Sequence, residues 1–160
     1  MILASSVLTA YKLVLALHIL GAVVWVGGGF TAQLLGLRAT RSQSPERQAG
    51  FAQDISVIGQ RAYIPASLVL IGSGVWLVHD GRFGFGTAWV TIGLAVWVAS
   101  FLAGATFLGP QSAKLARDIQ AAGISSPQAQ RRLRGIFLYS RIELVFLLVV
   151  VVDMVLKPGQ

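Results

Sequence analysis

Four apolar stretches, each long enough to cross a bilayer, leave this chain little freedom of architecture. A spanning helix needs about 20 predominantly apolar residues. Residues 8–37, 57–79, 87–109 and 134–156 each supply them. Inside lipid every backbone N–H and C=O must be bonded within the structure, which excludes open strands and irregular chain for these runs. Only 12% of the 160 residues are charged, where soluble domains carry about a quarter. The sequence therefore reads as all-α, a single domain over 1–160 folded as a four-helix transmembrane bundle in the cell membrane, with the lipid bilayer as its surroundings.

The net charge of +7 would suggest a nucleic-acid partner in a soluble protein. Here nine of the 13 basic residues sit in or beside two connections: Arg38, Arg41, Arg47 and Arg61, then Lys114, Arg117, Arg131, Arg132 and Arg134. The positive-inside rule places the loops near 38–56 and 110–133 in the cytoplasm, with N-out and C-out termini. Attraction to anionic lipid accounts for the rest, and no nucleic acid is expected. With no cysteine, disulfides and thiolate chemistry are excluded. Met1–Ala10 lacks a basic n-region and leads into an apolar run longer than a signal h-region, so it reads as the attached entry to the first helix.

Local signals set helix ends beyond the lipid. Ser44-Pro45 and Ser126-Pro127 pair an N-cap residue with a proline at the first helical position. Helices two and four should begin there. Gln111–Ala122 continues helix three out of the membrane as far as Gly123. Pro65 should kink helix two, because it has no N–H for the Arg61 carbonyl. The stretch His79–Gly86 makes a tight, glycine-rich turn, and Gly72, Gly74, Gly104 and Gly109 read as packing glycines.

The polar residues within the spans carry the functional argument. An ionisable group at membrane depth is costly unless it has a partner or a task. At about 1.5 Å per residue His18 lies about 15 Å below one boundary and Glu143 about 13 Å from the other, in a core about 30 Å thick. Both are near the midplane, where Glu143 either packs the bundle or bonds the imidazole. On the His18 face lie Gly21, Ala22, Trp25, Gly28 and Gly29. Small residues there either admit a neighbouring helix or leave room for a flat macrocycle beside an imidazole, the commonest metal-ligating side chain. Lys12 and Asp153 are set at equal depth near the outer side and form a candidate ion pair. His79, about ten residues above His18 in depth, reads as an exposed turn histidine. No phosphate loop, dinucleotide fingerprint, zinc spacing or Ser-His-Asp arrangement is present, so no catalytic residue is identified.

The spacing His18, Gly21, Trp25, Gly28 resembles the first helix of a group of small membrane proteins that includes the HemJ-type protoporphyrinogen oxidases and the CopD-type copper-resistance domain. Arg61-Ala62-Tyr63-Ile64-Pro65 is faintly similar to that group's second-helix opening. In length and helix count the whole chain resembles a family of four-helix integral membrane proteins within the group. The resemblance implies haem b with His18 as axial and metal-binding ligand among Gly21, Trp25 and Gly28; Ala22 joins the site by its place on the His18 face, and Glu143 by its matched depth, as a support to the imidazole. It further implies an oxidoreductase role and a membrane redox partner or homo-oligomer. Leu34 stands where those relatives carry an arginine, and Thr91-Ile92-Gly93 where they carry a lysine tied to activity, so protoporphyrinogen oxidation itself does not carry over. The other reading, of a different class, is a non-catalytic accessory subunit or small carrier without cofactor.

Overall fold

The computed structural model describes residues 2–42 and 44–158, with side chains from residue 10 onward except those of 40 and 56. Four helices are long and apolar enough to cross a membrane: Ala10–Ala39, Pro45–Asp80, Ala88–Ala122 and Pro127–Leu156. Their sequence positions are those expected, and the second, third and fourth extend beyond their apolar runs toward the basic loops. Ser126 caps the fourth span, its Oγ accepting from the Ala129 amide at 3.3 Å. Ser44 does the same for the second, accepting from Arg47 at 3.4 Å. The third span ends at Ala122, where Gly123 takes a φ of 75° that an L side chain would resist.

Three of the four spans contain one wide π-type turn, so each divides in two. We label the segments α1 (Ile2–Ala22), α2 (Gly28–Arg41), α3 (Pro45–Ile58), α4 (Ile64–Asp80), α5 (Ala88–Ala103), α6 (Gly109–Ala122) and α7 (Pro127–Leu156). The wide turns are Val23–Gly27, Gly59–Tyr63 and Gly104–Leu108. Two of them end two residues before a proline, Pro65 and Pro110. Proline has no N–H to donate and its ring crowds the carbonyl four residues back; widening the turn relieves that crowding. The expected disturbance at Pro65 is thus a widened turn that includes Arg61 itself.

The spans associate as pairs. α1 lies along α4, and α5 along α7; α2 and α3 join α6 and α7 at the end bearing the basic loops. Trp97 ties the pairs together, its Nε1 donating to Ser67 Oγ at 3.1 Å and to the Ser67 carbonyl at 3.2 Å. Two small apolar cores close the ends. At the basic end Leu115, Ala129 and Leu133 are buried, with Phe137 and Ile136 against them. At the turn end Val78, Trp89 and Val90 are buried, with Phe83 and Met154. Between them Leu17, Leu20, Phe146 and Val149 remain exposed, as lipid-facing side chains should.

The basic end is also knitted by polar contacts. Arg132 Nε meets Asp118 at 2.7 Å and a second guanidinium nitrogen donates to Gln111. Gln130 Nε2 donates to Gln48 and to the Ile124 carbonyl, both at 2.9 Å. Arg38, Arg41, Arg47, Lys114, Arg117, Arg131 and Arg134 are left exposed around it. That asymmetry predicts sidedness: reporter fusions at Arg41 and Gln120 should read cytoplasm, and one at Gly84 the opposite side. A cytoplasmic Gly84 reporter would overturn the orientation.

Two sequence expectations are corrected. Lys12 and Asp153 do not pair: Lys12 is exposed, and the ion pair among the described residues is Arg132–Asp118. The reason is the pairing of spans, since α1 runs along α4 and has no extended contact with α7. Gly72 and Gly104 are not packing glycines, for a Cβ at either would meet nothing within 4 Å. Gly74 does pack against another span, while a Cβ at Gly109 would meet only the Gly104 carbonyl of its own span.

Candidate functional site

His18 sits in the seam between α1 and α4. Its Nδ1 lies 3.0 Å from the Leu70 carbonyl oxygen and 3.1 Å from Ser73 Oγ. A carbonyl has no proton to give, so the bond requires the proton on Nδ1. Ser73 is consistent with this. Its hydroxyl donates back to the Val69 carbonyl at 2.6 Å, which leaves an oxygen lone pair for Nδ1–H. A neutral ring protonated at Nδ1 carries its lone pair on Nε2. Nε2 has no hydrogen bond to a described residue and is not among the sealed-off polar atoms. The ring edge rests on Gly74, where a Cβ would stand 3.0 Å from His18 Cε1.

The small residues beside His18 are used by helix packing. A Cβ on buried Gly21 would stand 3.4 Å from the Ala66 carbonyl oxygen and 3.5 Å from Leu70 Cδ1. One on Gly28 would press into the Tyr63 ring, and one on Gly29 would touch Leu144 at 3.7 Å. Ala22 and Trp25 are half-buried, Trp25 inside the first wide turn. Glu143 is half-buried on α7, with the Ser100 hydroxyl of α5 beside it. Ser100 itself is buried. Glu143 and His18 therefore have different partners, on different helix pairs. His79 is exposed at the end of α4.

Haem can be tested against these residues. The imidazole fits an axial ligand: a carbonyl holds Nδ1–H and aims the basicity at Nε2, the arrangement usual for ligating histidines. Between the first two spans there is no slot for the macrocycle, because Ala66 and Leu70 of α4 lie against Gly21 and Tyr63 of the wide turn before α4 lies against Gly28. Among the described residues no three His, Asp or Glu side chains gather as a metal site. Two surface clefts of about 330 and 280 Å³ lie at the basic end, lined by residues such as Asp118, Gln128 and Arg132, remote in sequence and depth from His18.

Leu70, Ser73 and Tyr63 were not singled out from the sequence. Ser73 carried a usable signal, a hydroxyl at His18's depth in an apolar span. The Leu70 carbonyl carried none, since every residue has one.

Residues 12–158 match the family described as predicted integral membrane protein (DUF2269). The chain belongs to this family. The DUF2269 match takes in all four spans together with His18 and Glu143, in keeping with the whole-chain resemblance to four-helix membrane proteins. Its description names a membrane location and no activity. No curated protein and no solved structure matches the chain.

Proposed function

We propose that this DUF2269 protein binds haem b in the membrane through His18 and serves in electron transfer. The observation that supports it most is the Nδ1–H bond to the Leu70 carbonyl, which fixes the tautomer and leaves Nε2 available at mid-membrane. The resemblance of His18, Gly21, Trp25 and Gly28 to the HemJ-type helix supports it independently. Haem iron held there would supply one-electron redox chemistry, tuned by its axial ligand and surroundings. The protein's own part is positional. Leu70 and Ser73 orient the ring, and Gly74 makes room for its edge against α4. Nε2 is the ring atom that would hold the iron, and Gly21 and Gly28 offer no slot for the group. A membrane redox partner or a second copy of the chain would complete the path for the electron.

The second reading is a non-catalytic membrane subunit. It rests on the close packing of the first two spans, in which His18, Gly21 and Gly28 all serve helix contact.

One experiment separates the two. Protein prepared with ample haem supply should show a Soret band that sharpens and shifts on reduction. His18→Ala should abolish the band, and His79→Ala should keep it. A colourless preparation would refute haem binding and leave the subunit reading in place.

A further inference from the structure

Several irregularities converge at the turn end of the bundle, far from His18. Three buried side-chain polar atoms lack a hydrogen-bond partner among the described residues; two of them, Trp89 Nε1 and Asp153 Oδ2, are here. Asp153 is only 9% exposed and Trp89 6%. Phe83 and Trp89 stand edge to face, centroids 5.3 Å apart at 79°. The Lys157 ammonium lies over both rings, 5.1 Å from the Phe83 centroid and 5.4 Å from that of Trp89. The backbone is bent to bring these groups together. Among the described residues the non-glycine positions with positive φ are Arg82, next to Phe83, at 55° and Lys157 at 45°. Such conformations persist only where surrounding structure enforces them, often at ligand-binding positions.

We propose that Phe83, Trp89 and Asp153 form a site for an organic ammonium group, with Lys157 as a displaceable resident of its aromatic half. Two ring faces set nearly at right angles attract a cation through their quadrupoles, the arrangement used to recognise quaternary ammonium groups. Asp153, buried one turn before Lys157 on the same helix, would supply the opposite charge. The Lys157 amide bonds the Asp153 carbonyl at 2.8 Å. Met154, the next residue, packs against the cluster that contains Trp89. Lys157 satisfies the rings but not the carboxylate, for it makes no ion pair with Asp153. A buried carboxylate without a counter-charge is costly. A cation engaging rings and carboxylate together therefore outcompetes the tethered lysine. Lys12, Arg82 and His79 at this end are exposed and leave Asp153 unpaired. The depth is that of the lipid headgroups, so the ammonium comes either from a phospholipid headgroup or from a free small amine.

The test uses the full chain in nanodiscs, titrated with tetramethylammonium chloride and followed by the Trp89 indole N–H resonance, with sodium chloride as the ionic-strength control. Lys157→Ala should bind the probe at least tenfold more tightly than the native protein, and adding Asp153→Asn should lose at least tenfold. Phe83→Leu in the Lys157→Ala background should lose as much, and it decides the matter if Asp153→Asn does not fold. A resonance already shifted in phosphatidylcholine nanodiscs before any addition identifies a lipid headgroup as the source. A shift that needs the free probe in phosphatidylglycerol nanodiscs identifies a small amine. Equal binding by native and Lys157→Ala protein, retention of binding in the Phe83→Leu variant, or the same response to sodium would overturn the proposal.

Discussion

Gly36→Leu should be the most damaging single substitution in the first span, destabilising the protein by about 3 kcal/mol or more. Overpacking a filled site usually costs about 1–3 kcal/mol, and this site has little room to adjust. Any Cβ at Gly36 would overlap the Phe137 ring. That ring cannot swing freely aside, because it stacks on Phe51 with centroids 5.8 Å apart and packs against the buried Leu115–Ala129–Leu133 cluster. The contact also joins α2 to α7, one of the links between the two helix pairs. Thermal unfolding in detergent measures the loss. Phe137→Ala in the Gly36→Leu background should recover part of it by vacating the space. An unchanged melting temperature would show that the first span does not seat on the fourth at this level.

Gly74→Val should be the second large effect, acting on His18 without touching it chemically. The added Cβ alone stands 3.0 Å from Cε1 and 3.4 Å from Nδ1 of the imidazole, closer than the ring tolerates unmoved. Two further methyls push the ring from the Leu70 carbonyl and break the bond that fixes its tautomer. Losing such an orienting partner commonly costs tenfold or more in metal affinity. On the proposed haem reading, retention in Gly74→Val should therefore fall at least tenfold, measured as Soret absorbance per protein after detergent washing. Gly72→Val is the control, since its side chain enters open space. Equal retention in both variants would mean that the α4 contact does not orient the ligand.

The membrane architecture was legible because its cause is local. Each span is a run of apolar residues set by length and composition, and the Ser-Pro starts and Gly123 stop act within a few residues of themselves. The observed helices accordingly begin at Pro45 and Pro127 and end at Ala122. The wide turns before Pro65 and Pro110 were only half legible. Proline announces a disturbance of the helix, but whether it bends or widens depends on how the neighbouring spans let it lie.

Partner choice was beyond the sequence. Depth counting put Lys12 level with Asp153 and His18 near Glu143, yet depth is one coordinate, and two side chains meet only if their helices adjoin and face each other. The pairing of α1 with α4 and of α5 with α7 gave His18 to Leu70 and Ser73, and Glu143 to Ser100. It left Lys12 exposed and Asp153 buried without a partner. On the small-residue face, α4 lies against Gly21, and Tyr63 of the wide turn before α4 lies against Gly28. Hydrophobic length by itself determined that the chain crosses the membrane four times. Which helix lies against which, and so what each buried polar group touches, was decided by tertiary packing, because apolar helices in lipid gain little from one neighbour over another until their surfaces interlock.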